Sequence, residues 1–329
     1  MTRLAIIGAG AWGTALALVA RRAGSDAAIW ARDPAIAAAI RDRRENPVYL
    51  PGIALDPAIR ATADLAEAIA DAEAALIAVP AQFLREVLAA LATSLPSAMP
   101  LLLCAKGIET GSLRTMSELA GELCPANPLA VLSGPSFAAE VARDLPTAIT
   151  IASRALPIAR FFAAALGSPK FRPYLSEDPI GAEIGGAVKN VMAIACGIGD
   201  GLGLGDNARA ALITRGLAEM TRLGVAKGAR AETFAGLSGL GDLVLTCGGA
   251  QSRNHALGVS LGNGQSLDAA LAGRRSVVEG VASAASIAAL AARLQVEMPI
   301  VAAVDAVLHR GMAIGPMIDE LLARPRRSE

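Results

Sequence analysis

Six short apolar runs alternate with amphipathic stretches through the first half of the chain. Leu4–Gly8, Ala27–Ala31, Ala74–Val79, Leu101–Ala105, Ala130–Ser133 and Ala148–Ala152 are four to six residues long and lie between Gly, Pro or polar residues, so they read as buried strands. Trp12–Arg22, Ala35–Arg44, Phe83–Leu91 and Leu113–Leu123 read as the helices between them. Strands alternating with helices predict βαβ units, right-handed crossovers and a parallel sheet. Past about residue 175 the strand-like runs stop. Glycine-punctuated helical segments follow, at Pro179–Ile198, Asn207–Lys227, Ala231–Ala235, Arg253–Leu261, Leu267–Ala272, Val281–Leu294 and Ile300–His309. The expected fold is an α/β Rossmann domain with a doubly wound, mostly parallel sheet over residues 1–178. An all-α domain over 179–329 follows, with the junction between Tyr174 and Gly186.

Composition sharpens this. A chain of 329 residues suggests two domains. Hydrophobic residues make up 53% and aromatics only 3%, so the cores must be aliphatic. Thirty basic residues balance thirty acidic ones, which gives no broad field for nucleic acid or an anionic membrane. The one basic run, Arg324-Pro-Arg-Arg327, reads as a solvated terminus. The four cysteines form no CxxC pair and there are only two histidines, so no metal site is expected. Reduced thiols point to the cytoplasm. No window of about 20 residues has the composition of a membrane span. The apolar N-terminus carries glycines at motif spacing and reads as strand, turn and helix rather than a signal peptide.

Gly8-Ala-Gly10-Ala-Trp-Gly13 follows the first strand and opens the first helix. That context turns a weak motif into a dinucleotide site. Gly8 permits the turn, Gly10 lets a pyrophosphate approach the backbone, and Gly13 lets the helix pack on the sheet. Helix N-H groups then face the phosphates. After the second strand stand Arg32 and Asp33. With Asp33-Pro34 as N-cap and first turn of the next helix, Arg32 is left to face a 2′-phosphate, which favours NADPH while leaving NADH open.

Lys106 follows the fourth predicted strand, where ligands bind in open α/β sheets, and suits an anionic cofactor or substrate. Gly134 and Ser136 lie in a similar loop that ends a strand and opens a helix. Gly185, Gly186, Lys189 and Asn190 sit inside a long helical pattern, where each glycine costs about 1 kcal/mol. Gly185 and Lys189 share a face, so the spacing predicts an ammonium flanked by bare backbone open to a flat ring and a small substrate. Asn190 lies over Gly186. Asp242 reads as a helix N-cap. Ser252, Arg253 and Asn254 stand at another helix start, a setting for a phosphate. His309 reads as structural. His255, beside the triplet, is left open.

Eight segments in order then resemble the bacterial type of NAD(P)-dependent glycerol-3-phosphate dehydrogenase. They are the N-terminal Gly-Ala-Gly-Ala-Trp-Gly-Thr-Ala, Asn46-Pro-Val-Tyr-Leu-Pro-Gly52, Ala105-Lys-Gly-Ile-Glu109, Ser133-Gly-Pro-Ser-Phe-Ala138, Gly185-Gly-Ala-Val-Lys-Asn-Val191, Ala208-Arg-Ala-Ala-Leu-Ile-Thr-Arg-Gly216, Gly239-Leu-Gly-Asp-Leu-Val-Leu-Thr-Cys247 and Gln251-Ser-Arg-Asn254. The resemblance implies reduction of dihydroxyacetone phosphate to sn-glycerol 3-phosphate for phospholipid synthesis, in a cleft between the two domains. It implies Lys189 as acid/base residue, aided by Asn190 and Asp242. It implies substrate contacts from Lys106, Gly134, Ser136, Lys189, Asp242, Ser252, Arg253 and Asn254. Cofactor contacts are implied for Ala11, Trp12, Arg32, Lys106, Ala138, Arg253, Val277 and Glu279, beside the three motif glycines. Ala11 departs from the hydroxyl residue frequent in the family, so only a backbone contact is expected there. Oligomeric state stays open, a homodimer being one option. Two rival readings share part of this pattern. A β-hydroxyacid dehydrogenase shares the plan but needs a carboxylate pocket. A cofactor-sensing regulator would not need Lys189, Asn190 and Asp242 together.

Overall fold

The structure is a computed structural model that describes residues 1–273 and 277–323. The basic run at 324–327 lies outside the described residues.

Eight strands form one sheet: β1 (Arg3–Ile7), β2 (Asp26–Trp30), β3 (Arg60–Thr62), β4 (Ala74–Ile77), β5 (Leu101–Leu103), β6 (Leu129–Ser133), β7 (Thr147–Ala152) and β8 (Phe171–Ser176). Their order is β3-β2-β1-β4-β5-β6-β7-β8. Every neighbouring pair is parallel except β6–β7, which runs antiparallel. The order reverses between β1 and β4, which opens a crevice at their C-terminal ends. Alternation along β1 sends Leu4 and Ile6 into the core on one sheet face, and Ala5 and Ile7 into the core on the other.

The connecting helices are α1 (Ala11–Arg22), α2 (Pro34–Ala38), α3 (Leu65–Ile69), α4 (Leu84–Ala92), α5 (Met116–Leu123), α6 (Ala138–Ala142) and α7 (Leu156–Leu166). The all-α half follows as α8 (Pro179–Gly201), α9 (Gly205–Lys227), α10 (Asp242–Gly248), α11 (Arg253–Gly262), α12 (Leu267–Leu271), α13 (Glu279–Arg293), α14 (Pro299–His309) and α15 (Ile314–Leu322). Helix α8 is buried over most of its length and is the axis of a third core, with α9, α10, α11, α13 and α14 packed around it. It also touches β6, which brings the middle of α8 to the end of the sheet. Among the described residues, no helix is long and apolar enough to cross a membrane.

Several expectations need correction. The helix expected over Ala35–Arg44 stops at Ala38 and widens into a π turn over Ala39–Arg43, ending on Arg44 at φ +56°. The helix expected from Leu113 starts at Met116. Leu113 has φ +59°, and Thr115 caps the helix in a reciprocal box with Glu118. Strands β3 and β8 and helices α3, α7 and α15 have no counterpart in the sequence pattern, whereas α6 is the helix expected after Ser136.

Candidate active site

The C-terminal ends of the strands gather the predicted residues. Gly8 follows β1 with φ +121°, a backbone that favours glycine, and its N-H donates to the Trp30 carbonyl at the end of β2. A Cβ on Gly13 would overlap the Gly8 carbonyl, so the turn and α1 are pressed together. A Cβ on Gly10 would meet nothing within 4 Å. The turn therefore leaves open space in front of the first N-H groups of α1, where a pyrophosphate would lie. Ala11 and Trp12 begin that helix and pack on the sheet core. The indole Nε1 of Trp12 is buried without a hydrogen-bond partner among the described residues.

Asn46 holds this turn from behind, a role that the motif around it did not disclose. Fully buried, it donates to the Ala9 carbonyl at 2.8 Å and to Thr14 Oγ1 at 2.9 Å, and accepts from Tyr49 N. At the end of β2, Asp33 caps α2 through Ala35 N, with Pro34 in the first turn, as expected. Arg32 is exposed, and its guanidinium lies 5.6 Å from the Phe83 ring centroid. No carboxylate claims it among the described residues, so its donors face solvent at the crevice.

Lys106, Lys189 and Asp242 converge beyond β5 and β6. Asp242 is fully buried. Lys106 Nζ donates to its Oδ2 at 2.8 Å, and also to the Gly134 carbonyl at 2.9 Å and Ser136 Oγ at 3.4 Å. Lys189 Nζ donates to Asp242 Oδ1 and to Thr246 Oγ1, the latter at 3.1 Å. Burial acts to raise the Asp242 carboxyl, but Lys106 and Lys189 outweigh it and hold the group below the usual carboxylate range. Burial lowers the Lys189 ammonium to about 8; Asp242 works against this shift and Lys106 with it. Two lysines thus share one carboxylate, which leaves net positive charge where an anionic substrate would enter.

Asp242 is not the N-cap expected from sequence. It continues from a π turn over Leu237–Gly241, and its side chain caps nothing. Lysines take both oxygens instead. Gly185 is also not open to a ligand. A Cβ there would overlap the Ser238 carbonyl, so the glycine exists to let the π turn press against α8. That contact brings Asp242 onto Lys189. Thr246, one turn after Asp242, was missed. Its place four residues on, facing the same lysine, was the available signal.

Asn190 Nδ2 donates to the carbonyls of Lys106 and Gly186, both at 3.3 Å. Its Oδ1 accepts from Asn254 at 2.9 Å, and Asn254 Oδ1 accepts from Gly280 N at 3.0 Å. The Asn254 carboxamide is therefore engaged within the protein, and a substrate contact from this residue falls to its backbone N-H. Ser252 caps α11 through His255 N. Arg253, the first helical residue, is exposed, with no hydrogen-bond partner among the described residues. Glu279 begins α13 and accepts from Ala81 N at 3.4 Å, joining α13 to the loop after β4. Burial raises its carboxyl, and Arg253 pulls the other way. Val277 is exposed beside it, and Ala138 opens α6.

His309 bonds the Val281 carbonyl and is structural. A second cleft of about 510 Å³, lined by Ser112, Arg114, Glu118, Glu122, Lys227 and Arg293, lies elsewhere. Lys227 pairs there with Glu118 and Arg114 with Glu122, while Arg293 donates to the carbonyls of Ser112 and Leu113, so every basic group of this cleft is engaged within the protein.

A glycine-turn crevice with a proton-bearing lysine at its far end suits a nicotinamide-dependent reductase, and comparison with known proteins says which kind. The family model for the N-terminus of NAD-dependent glycerol-3-phosphate dehydrogenase matches residues 3–159, and that for its C-terminus matches residues 178–319. The NAD(P)+ glycerol-3-phosphate dehydrogenase of Rhodospirillum rubrum is 57% identical over 99% of this chain and 93% of its own. That of Caulobacter vibrioides is 56% identical over 99% and 98%. The crystal structure of glycerol-3-phosphate dehydrogenase from Coxiella burnetii superposes with a TM-score of 0.95 at 39% identity, covering 98% of this chain and 99% of that one. With both halves matched and full-length relatives above half identity, the chain belongs to the NAD-dependent glycerol-3-phosphate dehydrogenase family.

Proposed function

We propose that this chain reduces dihydroxyacetone phosphate to sn-glycerol 3-phosphate for glycerophospholipid synthesis, with Lys189 as the proton donor and NADPH as the favoured reductant. The observation that carries the reading is the buried Lys189–Asp242–Lys106 cluster at the end of the sheet. Residues 1–178 are read as the dinucleotide-binding unit and 179–329 as the catalytic one.

The crevice fits the cofactor. Gly10 leaves the space a pyrophosphate needs, and Arg32 has free donors where a 2′-phosphate would sit. The turn from Gly8 to Gly13, with the backbone of Ala11 and Trp12, would hold the phosphates. Arg32, Lys106, Ala138, Arg253, Val277 and Glu279 would line the remainder. When bound, the reduced nicotinamide supplies a hydride to the ketone carbon.

The chain's own residues manage charge and protons. Lys189 releases one proton to the former ketone oxygen, which becomes the new hydroxyl. Asp242 keeps Lys189 protonated beforehand and holds the neutral amine in place afterwards. Lys106, fixed by Gly134, Ser136 and Asp242, contributes a second positive charge without competing for the proton. Asn190 locks the Lys106 backbone to α8 and the first turn of α11. Arg253, Ser252 and the Asn254 N-H take the substrate phosphate. Charge-assisted bonds of this kind contribute about 1.5–3 kcal/mol each. The four cysteines are buried and free, which suits a reducing compartment, and we place the enzyme in the cytoplasm.

The test is oxidation of NADPH and of NADH, followed by absorbance, with dihydroxyacetone phosphate as oxidant. Rapid oxidation dependent on the substrate is expected, faster with NADPH at low cofactor concentration. Cofactor-binding protein that turns over neither would contradict the reading.

A further inference from the structure

We infer that His255 is a positioning residue for the substrate phosphate, acting through Arg253 by fixing the first turn of α11 against α8 and α9. The inference rests on the reading of Arg253 as the phosphate-binding residue.

The seam between α8 and α11 is made of backbone. A Cβ on Gly197 would overlap the His255 carbonyl, and one on Gly258 would overlap the Ile194 carbonyl. One turn further along, Gly201 and Gly262 face each other in the same way. Glycines at 197 and 201 on one helix therefore meet glycines at 258 and 262 on the other. Such a seam brings the two backbones into close contact. Its polar end, at the start of α11, carries a further tie.

Two adjacent side chains in the first turn of α11 supply it. Asn254 bonds Asn190 at 2.9 Å. His255 Nε2 lies 2.7 Å from Asp200 Oδ2. A carboxylate only accepts, so Nε2 is the donor. Asn190 and Asp200 are ten residues apart on α8, about 15 Å along its axis. The two ties pull in opposite directions along α8 and fix the turn between them. Arg209 Nη1 donates to both oxygens of Asp200 at 3.1 Å, which anchors the same carboxylate to the start of α9. His255 N also bonds the Ser252 cap, so the tie and the cap share one residue. Arg253 precedes this clamp directly, and among the described residues its side chain has no hydrogen-bond partner to set its place.

The prediction is a defect specific to the phosphate. In His255→Phe, which keeps a ring but loses the donor, KM for dihydroxyacetone phosphate should rise about 5- to 20-fold. The kcat should change less than about twofold, and NADPH affinity, to which Arg253 also contributes, should weaken by less than the rise in that KM. Turnover of unphosphorylated dihydroxyacetone, kcat/KM, should be unchanged, because that ketone never uses Arg253. His255→Gln, which restores an N-H donor toward Asp200, should recover most of the loss. Asp200→Ala should reproduce the His255→Phe pattern, and carries the test if His255→Phe does not fold. Arg253→Ala is measured alongside. If it raises KM for the phosphorylated ketone while folded His255→Phe and Asp200→Ala do not, the positioning role is wrong and the phosphate reading stands. If Arg253→Ala leaves KM unchanged, the phosphate reading fails and the inference falls with it. Equal losses on both ketones would mean a structural role only, and would overturn it as well.

Discussion

Lys189 and Asp242 stand 53 residues apart in sequence yet form a buried ion pair whose second carboxylate oxygen is held by Lys106. The pairing works in two directions. Asp242 offsets the cost of burying the Lys189 ammonium and half-burying that of Lys106, and burial still leaves Lys189 able to give up its proton near neutral pH.

The pH dependence follows with a definite sign. Ketone reduction needs Lys189 protonated, so kcat/KM for reduction should fall as pH rises through about 8. Alcohol oxidation needs it neutral and should rise through the same limb. Because Asp242 raises the Lys189 pKa, Asp242→Asn should move both limbs to lower pH, besides reducing kcat. The limb belongs to the three-residue cluster rather than to one side chain. Profiles of wild type and variant measured in both directions check this. A reduction limb unmoved in Asp242→Asn would contradict it.

Arg32 sets the cofactor preference in this account. Phe83 supports its guanidinium from one side, and no carboxylate neutralises it among the described residues. In Arg32→Ala, KM for NADPH should rise about 10- to 100-fold, the loss of a charge-assisted contact of about 1.5–3 kcal/mol. KM for NADH should change little. Equal effects on both would place Arg32 outside the 2′-phosphate site.

Glu183 offers a separate test of how α8 is joined to the sheet domain. It is buried and accepts from Ser117 N at 2.6 Å and Ser117 Oγ at 2.5 Å, at the start of α5. Burial pushes its carboxyl up to about 7, against the hydrogen bonds from Ser117. A carboxyl raised in the folded state gives stability that is full below its unfolded pKa and is lost as pH rises through the folded one. Glu183→Gln removes that loss. Its Tm relative to wild type should therefore be higher at pH 8 than at pH 5. A difference independent of pH would show that Glu183 titrates normally.

Much of this was legible because burial leaves a strong pattern. β1, β4 and β6 are largely apolar runs, and Gly8, Gly10 and Gly13 announce the crevice by their spacing between a strand and a helix. The edge strands were not legible. β3 has three residues, and β8 mixes Arg172, Pro173 and Tyr174 with little burial, so neither carries a parallel-sheet signature. In the site, residue types were readable and pairings were not. Gly185 looked like an opening for a ligand because sequence cannot show that the Ser238 carbonyl fills it. Asp242 looked like a cap because an acidic residue before an apolar run has that appearance, whereas its partners lie 53 and 136 positions away. Asn46 and Glu183 act through long-range hydrogen bonds, which no local pattern encodes.

The central claim is that Lys189 supplies the proton, and single-turnover kinetics of Lys189→Met test it most directly. Protein loaded with NADPH would be mixed with saturating dihydroxyacetone phosphate, with cofactor affinity measured separately. Loss of a positioned acid predicts a fall in the rate of cofactor oxidation of about 10²- to 10⁴-fold, with NADPH affinity within a few-fold of wild type. A folded Lys189→Met protein that oxidises NADPH at a near-wild-type rate would contradict the account.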